Sequence, residues 1–174
     1  NPTLESARIA RFSTEFVKLK ATAPNSLNNP YTSAKDDHQL ITLAEAYRPD
    51  LISFHFGLPN KRILSALKKL DIPIITSVTN LDDATLALNA GVDGLIAQGI
   101  EAGGHRATFD ADSDYDFASS ALTTLELVRR LRPLTSLPII AAGGIMNGAD
   151  IAQALSAGAD AVQLGSAFLL CPES

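Results

Sequence analysis

The chain carries three histidines and one cysteine in 174 residues, so imidazole chemistry is scarce and its placement is informative. His105 ends the run Ile96-Ala97-Gln98-Gly99-Ile100-Glu101-Ala102-Gly103-Gly104-His105, in which an apolar strand passes into a glycine pair. An imidazole there can take a proton or hydrogen-bond an anion near neutral pH. The plain alternative is a solvated loop histidine. His55 lies in Ser53-Phe54-His55-Phe56-Gly57. Strand alternation sends Phe54 and Phe56 to one face, against helices, and Ser53, His55 and Gly57 to the other. His55 is then expected to point towards the mouth that His105 occupies, or else to be a satisfied core histidine. His38, beside Asp36 and Asp37, reads as surface. Gly143-Gly144 follows an apolar strand and precedes a helix with Asn147 and Asp150 at its start, a box-like cap. Glycine lets backbone come close to a ligand, and the amides nearby can cradle a phosphate. The next strand ends in Gln163-Leu164-Gly165-Ser166, whose amides and hydroxyl suit the same anion. Two ordinary tight turns are the alternative. Glu101 is expected either to steady its loop by bonding backbone amides or to be a surface carboxylate. No spacing resembles a zinc or calcium site, and no nucleophile elbow is present.

These residues need a scaffold that brings strand ends together. Helical spacing runs from Leu4 to Lys20, and a loop without periodicity from Ala21 to Lys35. Asp36-Asp37 is expected to cap a helix that Pro49 ends. Apolar strands follow at Leu51–Gly57, Ile72–Val78, Asp93–Gln98, Leu137–Ala142 and Ala161–Leu164. Helices separate them at Ile63–Leu70, Leu81–Ala90, Leu122–Leu131 and Ile151–Ala157. Strands apolar on both faces and alternating with helices predict an α/β fold with a covered parallel sheet. A repeat supports this. Asn80, Asp83, Leu88, Ala90, Gly91 and Asp93 recur 67 residues later as Asn147, Asp150, Leu155, Ala157, Gly158 and Asp160. The preceding strands match at an offset of 65, so two extra residues fall within Ala142–Met146 of the second copy. An insertion at the carboxyl end of a parallel strand is where ligand loops belong. Such units favour a (β/α)8 barrel over an open doubly wound sheet.

Composition narrows the function classes. Net charge is −5, which argues against duplex nucleic acid as a partner. No apolar run is long enough to span a membrane. The lone Cys171 allows no intramolecular disulfide and fits a reducing compartment, so a cytoplasmic, soluble protein is expected. Residue 1 is Asn, and the last residues follow directly on a strand. Residues 1–174 are therefore expected to be one domain, an internal piece of a longer protein.

The stretch Ala97–Arg106 resembles the signature of nitronate monooxygenases, formerly 2-nitropropane dioxygenases. Ser53–Gly57, Ala141–Ile145 and Val162–Phe168 are similar to that family in the same order. The resemblance implies an FMN-binding TIM barrel that oxidises alkyl nitronates with O2 to carbonyl compounds and nitrite. It implies that Gln98 and Gly103 touch the flavin, and that Gly144, Gln163, Leu164, Gly165 and Ser166 hold its phosphate end. His105 becomes the active-site histidine, binding the nitro group or accepting a proton from carbon, and His55 a second polar group at the substrate. The chain would hold family strands four to eight, without the N-terminal strands and the C-terminal segment, and alone would be inactive. Ala107 stands where a glycine is common, and Asp110–Asp116 carries four aspartates, two departures that bear on substrate preference. A related FMN-dependent enoyl-acyl-carrier-protein reductase using NAD(P)H is one alternative, and a non-catalytic phosphate-ligand barrel another. Oligomeric state is left open.

Overall fold

A computed structural model describes residues 2–26, 33–109 and 121–173. By its internal contacts the chain falls into two units, Asn1–Ser33 and Ala34–Ser174. The first holds two helices, α1 (Pro2–Arg11) and α2 (Ser13–Lys18). The single helix expected over this stretch is broken at Phe12, whose φ of −97° and ψ of 2° lie outside the helical well. The Ser13 hydroxyl donates to the Ala10 carbonyl at 2.8 Å, the local side-chain bond that competes with helix continuation.

The second unit alternates helix and strand. α3 (Gln39–Tyr47) leads into β1 (Ile52–Phe54), then α4 (Lys61–Lys68), β2 (Ile74–Val78), α5 (Leu81–Ala90) and β3 (Gly94–Gln98). α6 (Thr124–Leu131), β4 (Ile139–Ala142), α7 (Gly148–Ser156) and β5 (Ala161–Gln163) follow, and a 3-10 turn covers Ser166–Phe168. All strand pairs are parallel and the sheet order is the chain order, β1 to β5. A doubly wound sheet reverses direction at a switch point and covers both faces with helices. Here Leu67, Ala84, Leu127 and Ala154, one from each of four successive helices, join one cluster with Ile74, Leu95 and Ile139. Among the described residues the other face carries a small strand cluster, Ile75, Ile96 and Ala142, with Ile140 packed against it. One helical layer outside and a few apolar side chains inside make this an arc of a (β/α)8 barrel, as expected from the repeat.

Caps explain where the helices begin. Asn60 Oδ1 accepts the amides of Arg62 and Ile63, and Asn80 Oδ1 accepts that of Asp83. α7 starts with a complete box between Asn147 and Asp150. α6 starts two residues later than its apolar pattern suggested, because Thr123 and Glu126 form a second box. At α3 the N-cap is His38, without a side-chain cap bond, rather than the expected Asp36-Asp37. Asp37 Oδ1, one residue earlier, accepts the Gln39 amide at 2.9 Å, and Asp36 accepts from the Asn60 side chain instead.

β1 is shorter than predicted, and this moves a side chain. Phe56 has φ +62° and Gly57 φ +98°, so the chain leaves the extended region directly after the strand. Phe54 is buried among the helices, but Phe56 is 48% exposed and does not share its face. The alternation rule fails for Phe56 because it lies in the turn, beyond the pleat that the rule describes.

Candidate active site

The predicted site residues lie at or just beyond the carboxyl ends of β1, β3, β4 and β5. A cleft of about 190 Å³ opens there, walled by the turn after β4 (Gly143, Gly144, Ile145), by Gly103, and by the end of β5 (Gln163, Gly165, Ser166). Gln98, the last residue of β3, lines it too. Leu164 does not; its side chain packs on the helical core, leaving its backbone to that turn.

The turn after β4 depends on Gly143. Its φ is +119°, and a Cβ there would lie 2.8 Å from the Ala102 nitrogen and 2.9 Å from Thr124 Oγ1. The crowding comes from a buried junction the sequence did not reveal. Thr124, 2% exposed at the start of α6, places its hydroxyl 3.0 Å from the Gly143 carbonyl and 3.2 Å from that of Ala142. Glu101 Oε2 accepts the Thr124 amide at 2.9 Å and its hydroxyl at 3.1 Å. Glu101 therefore steadies its loop through a backbone amide, and so fixes the loop after β3 against the turn after β4.

On residues lining the cleft, the amides of Gly144, Ile145, Gly165 and Ser166 donate to no protein acceptor among the described residues. The amides at the start of α7 are already spent on its cap, since Asn147 Oδ1 takes those of Ala149 and Asp150. Asp150 Oδ2 takes those of Met146 and Asn147. Any anion in the cleft is thus met by the turns and the Ser166 hydroxyl rather than by the helix end. That hydroxyl stands 3.0 Å from the position a Cβ on Gly103 would take, so the two walls approach closely only because residue 103 has no side chain.

Neither histidine lines this cleft. His105 is exposed, and its ring meets that of Phe56 edge to face, with centroids 5.9 Å apart and an 88° angle between planes. The strand end carrying His55 and the loop carrying His105 are thereby brought together. His55 is held by two serines, Ser77 Oγ at 2.7 Å from Nδ1 and Ser53 Oγ at 3.2 Å from Nε2. Hydroxyls donate or accept, so both contacts survive whichever ring nitrogen carries the proton. Gln98 joins cleft to histidine. Its Nε2 donates to the His105 carbonyl at 3.0 Å and its Oε1 accepts the Ala107 amide at 2.8 Å. This clamp on the loop was not foreseen from sequence; nothing in residue type distinguishes a glutamine aimed at a ligand from one aimed at backbone seven residues on. Ala107 is buried, so a methyl is accommodated at that departure from the family pattern. The aspartates of 110–116 lie outside the described residues. No cluster of metal-ligating side chains occurs among the described residues, and none of their helices is long and apolar enough to cross a membrane.

Several known proteins are similar to this chain. The chain is 47% identical over 159 residues to a nitronate monooxygenase of Paraburkholderia phytofirmans, covering 91% of this chain and 42% of that protein. It is 42% identical to one of Pseudomonas aeruginosa, over all of this chain and 48% of that protein. It thus spans about half the length of these relatives. Among solved structures, nitroalkane oxidase from Streptomyces ansochromogenes superposes with a TM-score of 0.79 at 32% identity, covering 95% of this chain and 46% of that one. FabK from Thermotoga maritima superposes at 0.62 with 27% identity, over 91% of this chain and 46% of that one. The model of the nitronate monooxygenase family matches residues 8–174, and the chain belongs to that family.

Proposed function

We propose that the full-length protein is an FMN-dependent enzyme that oxidises alkyl nitronates with O2 to carbonyl compounds and nitrite. One observation carries the reading. Four undonated amides lie on residues of one cleft whose opposite wall, Gly103, is two positions from His105. A phosphate-bearing cofactor suits this site, because its anionic end needs donors and its ring needs backbone without side chains. Gly144, Gly165 and Ser166 would hold the phosphate, with the backbone of Gln163 and Leu164 beside them. Gly103 and the end of Gln98 would meet the ring.

When bound, FMN supplies electron acceptance and the reaction with oxygen. The chain's own groups bind and orient. A nitronate has already lost its carbon proton, so His105 serves it chiefly as a hydrogen-bond donor to the nitro oxygens. Towards a neutral nitroalkane the same imidazole is the base at carbon. His55 would be a second polar group at the anion only by exchanging one of its serine contacts for it, since Ser53 and Ser77 engage both of its ring nitrogens. Phe56 packs against the His105 ring edge to face, while the imidazole stays exposed. The small-molecule substrate and O2 are the only partners this reading requires, and a cytoplasmic location suits the exposed, unpaired Cys171.

The test is the absorption spectrum of the purified full-length protein, followed by oxygen uptake with a small nitronate such as propionate-3-nitronate. A flavin spectrum and nitronate-dependent uptake are expected. A colourless protein would overturn the cofactor assignment. NAD(P)H consumption with an enoyl thioester, without nitronate oxidation, would favour the reductase alternative.

A further inference from the structure

Resting on that reading, we propose that Arg106 is the positioning residue of His105. Its guanidinium ties the loop to two strand ends and acts through the histidine's placement rather than on the substrate. Nη1 donates to the Gln98 carbonyl at 2.8 Å and Nη2 to the Thr79 carbonyl at 3.1 Å. Gln98 ends β3, and Thr79 directly follows β2. Both acceptors are themselves fixed. Asp83, 4% exposed, takes the Thr79 amide at 3.1 Å and its hydroxyl at 2.8 Å on one oxygen. The Gln98 side chain returns to the carbonyl of His105 and the amide of Ala107, the two residues flanking Arg106.

Residue 106 is thus held by its own side chain, and its two neighbours by a side chain from the strand that Arg106 grips. This closed arrangement leaves the His105 backbone little freedom to turn. The planar fork offers Nη1 and Nη2 to two carbonyls in one fixed geometry, which the compact, flexible ammonium of lysine does not reproduce although it has three N–H donors. Arg106 Nε is buried with no acceptor among the described residues. The competing role is charge. Both donors meet neutral carbonyls, so the positive charge could instead draw an anionic substrate to the mouth.

Arg106→Lys in the full-length, flavin-loaded protein separates the two, because it keeps the charge and removes the fork. Positioning predicts a kcat lower by on the order of 10²-fold, as misplacement by about 1 Å produces. KM and flavin content should stay close to wild type, and amide hydrogen exchange over 105–107 should be faster while α5 and α6 are unchanged. Retained kcat, with salt-sensitive KM loss appearing only in Arg106→Gln, would overturn positioning in favour of charge. Unchanged exchange at 105–107 would overturn it as well. If the wild-type protein oxidises no nitronate, the proposed function fails, yet the exchange comparison still decides the role of Arg106. Should Arg106→Lys not fold, Arg106→Gln, which also lacks the fork, is read by exchange alone: faster exchange at Ala107 is expected, and unchanged exchange contradicts the proposal.

Discussion

Segments Pro73–Gln98 and Pro138–Gly165 follow one plan of strand, helix and strand, and part company at the turn between the first strand and the helix. The shared plan is visible atom by atom. Asp93 Oδ2 accepts the Ile74 amide at 2.8 Å, and Asp160 Oδ2 accepts that of Ile139 at 2.8 Å. Gly91 and Gly158, which close the two helices, both have positive φ. Asp83 and Asp150 each turn back to the amide of the residue before the cap, Thr79 and Met146. In the first copy the turn is short and covered: its Thr79 carbonyl is taken by Arg106, and its hydroxyl lies 3.2 Å from that of Thr108. In the second copy Gly143 and Gly144 lengthen the turn, and it becomes the wall of the cleft. The scaffold is reused, and the cleft opens where the copies differ.

That division of work can be broken at several points. The largest effect is expected from His105→Ala in the full-length protein. With a neutral nitroalkane, towards which the imidazole is the base at carbon, turnover should fall by on the order of 10²- to 10⁴-fold, while FMN content stays unchanged. Undiminished oxygen uptake would remove the histidine from the reaction. Gly143→Ala should do the opposite, since its backbone angle and the nearby Ala102 nitrogen admit no side chain. A loss of flavin is expected together with about 1–3 kcal/mol of stability, read from urea midpoints of the apoprotein. Gly143→Ala that keeps its flavin would contradict the placing of the phosphate end.

The paired caps give a finer comparison. Asp83 is buried and also receives the Phe109 amide at 3.4 Å, whereas Asp150 is half-buried and serves its helix cap alone. Asp83→Ala should cost about 2–3 kcal/mol, as for buried bonds to a charged group, and Asp150→Ala about 1 kcal/mol, as for a cap. Equal losses in denaturant titrations would mean that the first copy gains nothing from its covered turn. The smallest effect concerns Glu126. Hydrogen bonds from the Thr123 hydroxyl, foremost, and the Thr123 amide hold its carboxyl below the ordinary value. A depressed carboxylate contributes stability that is present above its unfolded pKa and lost as pH falls through the folded one. The side chain is exposed, so this contribution is small. Glu126→Gln should flatten the acid limb of the stability profile slightly, and an unchanged limb would argue against the box.

The scaffold was legible because its signals are local. The Asn-Asp starts, the Ala-Gly stops and the apolar runs each report on a few neighbouring residues, and α5 was placed to the residue. The glycine turns were legible too, since an inserted glycine pair has few structural uses. What escaped depends on distant partners. Thr124 looks like any residue in the first turn of a helix, yet it joins Glu101 to Gly143 across the fold. The side chain of Gln98 is turned onto loop backbone, a direction that only the folded loop defines. Phe56 was misplaced because strand alternation was carried one turn too far, and its actual position against His105 is the more informative one.

The central claim is that the second copy anchors the cofactor and the first presents the histidine. FMN titration of the full-length apoprotein, followed by flavin fluorescence and run on Gly143→Ala beside His105→Ala, tests it most directly. The account predicts near-native affinity for His105→Ala and severe loss for Gly143→Ala. Comparable weakening in both, or tight binding by Gly143→Ala, would contradict it.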